Sequence, residues 1–251
     1  MSTSNPEFSR NWEQALSIPK ERVNQLSIRA FRPSLDKETS HRFLEGHYEV
    51  IRAFGFKLSS ATESWIDDPT SYAIIVESID RKKVYGGARI HSGASVFPLP
   101  VIGAVYEEAP EITGFVQSLQ GRQFGELCGL WNSMSIAGMG VGSVFSIRAA
   151  IALAGLVGID SLIALCSVHS FRMAHRYGFN LVESVGRGGE IPYAGAKQIA
   201  RLTYQPDVVS LPNSQELERN AIFSLRTEPV QLANELLRGD SVDINYDLSL
   251  Q

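Results

Sequence analysis

The chain has 251 residues, 44% of them apolar and 20% charged, with a formal net charge of −4. This is the composition of a globular protein with room for a full core, and its acidic balance argues against a nucleic-acid-wrapping protein. The two cysteines, Cys128 and Cys166, both lie in apolar runs, and the five histidines are scattered. That excludes a disulfide frame and a zinc-type ligand cluster, so no metal is expected, and buried thiols suit a reducing cytoplasm.

In chain order, the opening "MSTSNPEFSR" lacks the apolar run of a signal peptide. Residues 1–33 read as an irregular N-terminal segment with a short helix near Trp12–Leu16. Ser34 reads as an N-cap, and Phe43, Leu44, His47, Tyr48, Ile51 and Phe54 recur at three-four spacing, which predicts an amphipathic helix stopped at Gly55. "SYAIIVES" (71–78) and "VYGGARIHS" (84–92) predict two strands of a hairpin, with Arg81, Lys82 and Lys83 at its tip. Residues 93–122 are a long mixed segment broken by Pro98, Pro100 and Pro110, with a helix around "APEITGFVQSLQG". A loop of that length in a compact domain reads as a lid or binding element, or as ordinary core connection.

"FGELCGLWNSMSI" (124–136) predicts a strand, followed by glycines and a helix over about 143–157. The apolar run near 149–159 is too short and Gly-broken to span a bilayer. A buried strand over 159–167, a short helix over 170–178 stopped by Gly178, and strands at 179–186 and 197–205 follow. Pro206 and Pro212 mark a boundary. Beyond it, "NSQELERNAIFSL" and "TEPVQLANELLRG" each read as a capped helix, so 206–251 is expected to be a helical extension that covers a sheet edge or mediates self-association.

Glycines alternate in "IAGMGVGSVFSIRAA" just before a helix. A helix N-terminus paved with glycine is an anion site, because backbone N–H groups and the helix dipole point at the ligand. A dinucleotide loop needs G-x-G-x-x-G and an acid at the end of the next strand, and a Walker loop needs Gly-Lys-Ser/Thr. Neither is present, which disfavours a dinucleotide-binding oxidoreductase. The plain alternative for the glycines is a turn or close helix packing.

"AGMGVGSVF" resembles the R/Q-x-x-G-x-G/A loop of GNAT-superfamily acyltransferases, and "HRYGFNLV" resembles the closing Gly-Phe motif of that superfamily. Over residues 40–205 the order of features resembles acyl-homoserine-lactone synthases and related N-acyl amino acid synthases. "RAFGF" is similar to the end of their first helix, "DDPTSYAIIV" to their acid-then-strand segment, "VYGGARIHS" to their G-x-x-R-L strand and "GELCGLWNS" to their E-L-S-R strand. The resemblance implies an α/β GNAT-like fold over 34–205, a twisted mixed sheet flanked by helices. It implies a sheet that splays between the 124–135 and 159–167 strands to admit a thioester arm.

It further implies that Ala137, Gly138, Met139, Gly140, Val141, Gly142 and Ser143 hold the phosphates of acyl-CoA or an acyl-phosphopantetheine. Glu126 and Arg89 fall on the functional glutamate and arginine, with Asp68 as a weaker third catalytic candidate. The implied activity transfers an acyl chain from acyl-CoA or acyl carrier protein to the amine of a small, amino-acid-like acceptor. The rivals are a short-chain, acetyl-CoA-dependent N-acetyltransferase and a degenerate GNAT domain that binds ligand without catalysis. Departures from the pattern are Ala137 in place of Arg or Gln, Ala174 in place of an acid tyrosine, Cys128-Gly129 in place of Ser-Arg, and Gly46 in place of an arginine.

The chemistry of the candidates agrees with those roles. An ammonium has no lone pair, so acyl transfer needs a base, and a strand-buried Glu126 is suited to accept the proton. Arg89, interior to its strand, demands an anionic partner: Glu126, Asp68 or the acceptor's carboxylate. The plain alternatives are a structural ion pair, a solvent-facing Arg89, and turn roles for Asp67 and Asp68 beside Pro69. Arg172, His175 and Arg176 share a helix face near Arg187; such a patch meets a CoA 3′-phosphate or an acyl carrier protein, or is merely solvated. His169 receives no role. Cys128 has no His placed beside it by motif and is not a nucleophile.

Overall fold

The computed structural model describes residues 21–53, 63–136, 141–193, 198–237 and 240–250. Its frame is a ten-stranded mixed sheet in the order β6-β8-β5-β4-β3-β2-β1-β10-β9, with β7 pairing on β8. An antiparallel meander forms one half: β1 (Gln25–Phe31), β2 (Ser71–Glu77), β3 (Val84–Ser92) and β4 (Phe124–Asn132). A helical crossover then returns the chain to β5 (Ser161–Ser167), parallel to β4. On the far side of β5 lie β8 (Gln198–Gln205) and the short strands β6 (Asn180–Leu181) and β7 (Glu190–Tyr193). At the other edge β10 (Asp240–Asp247) runs parallel to β1, and β9 (Val230–Leu237) is outermost.

Helices divide between the two faces. The crossover helix α4 (Val141–Leu156) is apolar on almost every side, as a fully enclosed helix must be, and Ala149–Ala154 are wholly buried. It packs with Leu26, Ile28, Ile74, Val76, Ala88 and Ile90. Side chains alternate along a strand, so Ala73, Ile75 and their neighbours face the opposite way. There α1 (Lys37–Ala53) supplies Phe43 and Leu44 to a second cluster with Trp65, Ile75 and Trp131. Farther along that face, α2 (Pro100–Val105) and α3 (Glu111–Ser118) cover Phe124, Ile163 and Leu202. The 93–122 segment is therefore largely a helical cover over one end of the sheet.

Several elements differ from the sequence expectation. The cap of α1 is Asp36, whose Oδ1 accepts from the Thr39 amide at 3.0 Å, two residues beyond Ser34. The 179–186 strand shrinks to Asn180–Leu181, because residues 183–186 turn. Within 1–33, Gln25–Phe31 forms a strand rather than irregular chain. Among the described residues beyond Pro206 only α6 (Glu216–Thr227) is an α-helix; "VQLANELL" is β9, and its hairpin partner β10 buries Val242, Ile244 and Tyr246. The tail extends the sheet beyond β1 instead of covering it with helices. The helix α5 (Val168–Arg176) begins with a reciprocal Ser167–Ser170 capping box and ends before Gly178, as expected. The proposed short helix near Trp12–Leu16 lies outside the described residues.

The tail is fastened to the core by charge. Arg148 of α4 donates from Nε to Glu218 of α6 at 2.6 Å and from Nη1 to Glu235 of β9 at 2.8 Å, while Arg176 also binds Glu218. Glu218 is fully buried. A buried ion pair that loses one partner leaves an uncompensated charge, at a cost of about 3–5 kcal/mol. Glu218→Ala is therefore expected to lower the unfolding free energy, measured by chemical denaturation, by that amount, and Glu235→Ala, nearer the surface, by less. Among the described residues no helix is long and apolar enough to cross a membrane.

Candidate active site

The register between β4 and β5 sets the site. Phe124, Gly125 and Glu126 pair with Ser161, Leu162 and Ile163, and the pairing then stops. Beyond Ile163, β5 pairs only with β8. From Leu127 onward β4 thus offers unpaired backbone on the side towards β5, and Glu126 stands at the fork. The expected splay is present.

Glu126 is 1% exposed and faces the α2–α3 side of the sheet, opposite Leu127 on the α4 side. Its Oε2 accepts the Val101 amide at 3.0 Å, one of the free N–H groups at the start of α2. Burial pushes its carboxyl up to about 7, against the Val101 amide and the Arg89 guanidinium, which both pull it down. Its cross-strand partner is His91, also buried.

Arg89 lies two residues before His91, on the same face, and is 6% exposed. Its guanidinium carbon sits 4.6 Å from the centre of the Trp65 ring. Among the described residues it forms no salt bridge, and its Nε is buried without a hydrogen-bond partner. Neither Glu126 nor Asp68 neutralises it directly. The solvent-facing alternative for Arg89 is overturned, because the residue is buried with its guanidinium against Trp65 of the α1 cluster.

Two glycines make this placement fit. Between the pairs Gly87–Trp131 and Arg89–Cys128, one residue of β3 opposes two of β4, so Gly129 and Leu130 form a bulge. Gly129 takes the left-handed φ of +57°, and a Cβ there would stand 2.6 Å from Arg89 Nε. Gly46 of α1 is likewise filled: a Cβ would lie 2.2 Å from Trp131 Cη2. The space that a side chain at Gly129 or Gly46 would take is thus filled by Arg89 and Trp131.

Around this pair the site is aromatic. Phe43 meets Trp65 and Trp131 edge-on at 5.6 and 5.7 Å, and His47 lies nearly parallel to Trp131 at 6.2 Å. Burial, with Arg89 adding to it, holds the imidazoles of His47 and His91 down to about 3, so both are neutral at ordinary pH. These aromatic and imidazole neighbours were not picked out from sequence, because they converge only through the bulge and the Gly46 contact. Burial pushes the Cys128 thiol up to about 12, which leaves it a poor nucleophile.

Asp68 is buried, and its carboxylate accepts from Thr70 N at 2.8 Å, Thr70 Oγ1 at 2.7 Å, Ser71 Oγ at 3.0 Å and Ser95 Oγ at 2.7 Å. Burial raises its carboxyl, but those hydrogen bonds outweigh it and hold it below the usual range. It ties the start of β2 to the 93–99 turn and is spent on that task. Asp67 is exposed and pairs with Lys37.

Of the phosphate-loop candidates, Ala137, Gly138, Met139 and Gly140 lie outside the described residues. Val141, Gly142 and Ser143 form the first turn of the 16-residue α4, beside the open edge of β4. In the basic patch, Arg172 and His175 are exposed, while Arg176 is taken up by Glu218 and Gln215. Ala174 is buried, and the nearby Tyr177 is fully enclosed, donating to Val144 O at 3.0 Å, so it offers no proton to the cleft. Among the described residues no three His, Cys, Asp or Glu side chains gather as metal ligands would.

No family model and no curated protein matches the sequence. Solved structures match by shape. An N-acyl amino acid synthase from uncultured soil microbes aligns with a TM-score of 0.56 at 14% identity, over 78% of this chain and 97% of that one. A CoA-dependent acyl-homoserine lactone synthase, solved with SAM and isopentyl-CoA, aligns with a TM-score of 0.53 at 11% identity, over 81% of this chain and 90% of that one. The mixed sheet flanked by helices is accordingly the fold shared with these synthases, the GNAT-type acyltransferase fold.

Proposed function

We propose that the protein is a cytoplasmic N-acyltransferase that moves an acyl chain from acyl-CoA or acyl carrier protein to the amine of a small, amino-acid-like acceptor. One observation carries the reading: a fully buried carboxyl, which burial pushes up to about 7, shares a sheet face with a buried guanidinium that forms no salt bridge among the described residues, at the point where β4 and β5 part. Perturbed groups of this kind concentrate at functional sites.

In this reading the thioester arm enters the fork and lies along the open edge of Leu127–Asn132, with its phosphates over the loop that leads into α4. The acceptor approaches from the α1 side. Glu126 takes the proton that the amine nitrogen loses as it attacks the thioester carbon. The C–N bond forms, the C–S bond breaks, and the sulfur leaves as a thiol after taking up a proton. No covalent enzyme intermediate is required, in keeping with the high pKa of Cys128. Arg89 holds the acceptor's carboxylate.

The test is amide formation, followed by mass spectrometry, with a donor panel from acetyl-CoA to dodecanoyl-CoA and a set of amino acids. Turnover confined to acetyl-CoA would favour the short-chain rival, and donor binding without turnover the non-catalytic one. Gly140→Val, at the loop before α4, is expected to abolish donor binding by calorimetry while leaving the circular dichroism spectrum unchanged, since a side chain there blocks backbone approach to a phosphate.

A further inference from the structure

The sheet ends differently at its two edges. At one, β6 has two residues and β7 four, with Pro192 inside β7. Short strands and proline stop an edge from pairing with another chain. At the other, β9 runs for eight residues, each paired with β10 without a bulge, and it pairs with no further strand among the described residues. It contains no proline and no lysine. Its polar side chains are all committed to their own chain: Gln231 to Ser224 and the Glu228 carbonyl, Asn234 to Ser241 and Asp243, Glu235 to Arg148. What β9 offers outward is a row of backbone donors and acceptors. Beside it stand three apolar side chains on the face away from α4, Val230, Leu232 and Leu236, which are 57%, 69% and 78% exposed.

An occupant has to bring both a strand edge and an apolar stripe. A second copy of β9 brings both, because two identical antiparallel edges are complementary about a two-fold axis. Charge selects the register. With Ala233 on the axis, Val230 meets Leu236 of the copy and Leu232 meets Asn234. Glu235, the one charge within β9, then meets a neutral Gln231 and not another carboxylate. In sequence, Glu228 and Arg238 stand five residues to either side of Ala233, so opposite signs flank the pairing at both ends. Residues 1–20 are a poorer occupant. They join the described chain at Glu21, which is held by Ser135 O, Lys83 and Tyr85 beside β3 and β4, with β2, β1 and β10 between that point and β9.

We propose that two copies of the chain dimerise by antiparallel pairing of their β9 strands about Ala233, which joins the two sheets into one. Leu236 of the copy lies beside Val230, at the rim of a groove of about 510 Å³ that Ile79, Arg81, Val230 and Leu232 help to line. Four strands separate β9 from β4 and Glu126, so the proposal does not depend on the acyltransferase reading.

Sedimentation equilibrium of the full chain at tens of micromolar should give the mass of two chains. Leu232→Lys sets a lysine from each copy on either side of the axis. Like charges there should raise the dissociation constant about 100-fold or more and leave a monomer at the same concentration. Leu217→Lys, at an equally exposed leucine of α6, should leave the dimer intact. A native monomer overturns the proposal, and so does a dimer that Leu232→Lys leaves whole.

Cross-linking reads the register without relying on the folding of that variant. Directly opposed residues of an antiparallel pair have Cα atoms about 4.5–5.5 Å apart, within disulfide reach. Ala233→Cys should therefore give a disulfide-linked dimer with copper-phenanthroline as oxidant. In Gln231→Cys the two thiols belong to residues about 13 Å apart along the strands and should stay unlinked. The native chain, with Cys166 buried and Cys128 half-buried, should also stay unlinked. Any other pattern of linkage overturns the pairing about Ala233.

Discussion

Glu126→Gln should lose roughly 10²–10⁴-fold in kcat, the contribution of a positioned general base, while binding the acyl donor as before. The amide keeps the size of the side chain and can still accept the Val101 hydrogen bond, so geometry is preserved and only proton acceptance is lost. The native enzyme should show kcat rising tenfold per pH unit below about pH 7 and levelling above it, because only the ionised carboxylate accepts a proton and its carboxyl is raised to about 7. In the variant that limb should vanish.

The same substitution should stabilise the fold at alkaline pH. The folded-state value, about 7, lies above the ordinary 4.5. The folded chain therefore holds its proton more tightly than the unfolded one, and stability falls as pH rises from 4.5 towards 7. That shift corresponds to roughly 3 kcal/mol for so buried a group. Glu126→Gln should recover about that much at pH 8 and little at pH 4, measured by denaturant melts at the two pH values. An equal effect at both pH values would mean that the carboxylate is not the burdened group.

Gly129→Ala is the second large change expected. A Cβ at φ +57° costs about 1–2 kcal/mol, and here it also presses on Arg89 Nε from 2.6 Å. The guanidinium must move off its place over Trp65 by something near an ångström. Displacements of that size at a reacting centre cost about 100-fold. The loss should fall on the KM for the acceptor rather than on donor binding, and Gly129→Asn, which tolerates the left-handed region better, should lose less stability while still displacing Arg89. An unchanged acceptor KM in Gly129→Ala would mean that Arg89 does not meet the acceptor.

Much of the scaffold could be read in advance. The β2–β3 hairpin, β4, β5 and the buried helix between them carry long apolar runs with clear boundaries. Glu126 and Arg89 were picked out by the resemblance of their strands to the E-L-S-R and G-x-x-R-L patterns, and their place in apolar strands agreed with it. What escaped was set by distant partners. Leu26, Ile28 and Ala30 alternate, but the strand they form is defined by β2 and by β10, both remote from it in sequence. In 230–237, Val230, Ala233, Leu236 and Leu237 satisfy helical spacing as well as alternation does, and the decision came from pairing with β10 and from Glu235 reaching Arg148, 87 residues away. Trp65 and Trp131 gave no local sign, since the guanidinium stacked on the first and the Gly46 notch that holds the second are tertiary facts. Gly129 inside a strand was the one available clue.

The filled notches at Gly46 and Gly129 also constrain how this lineage can change. An arginine at either position alone meets a tryptophan ring or a guanidinium already in residence. A larger side chain at either position has to be matched by a change in the residue that now fills the space, so Gly46 with Trp131, and Gly129 with Arg89, can be replaced only in pairs.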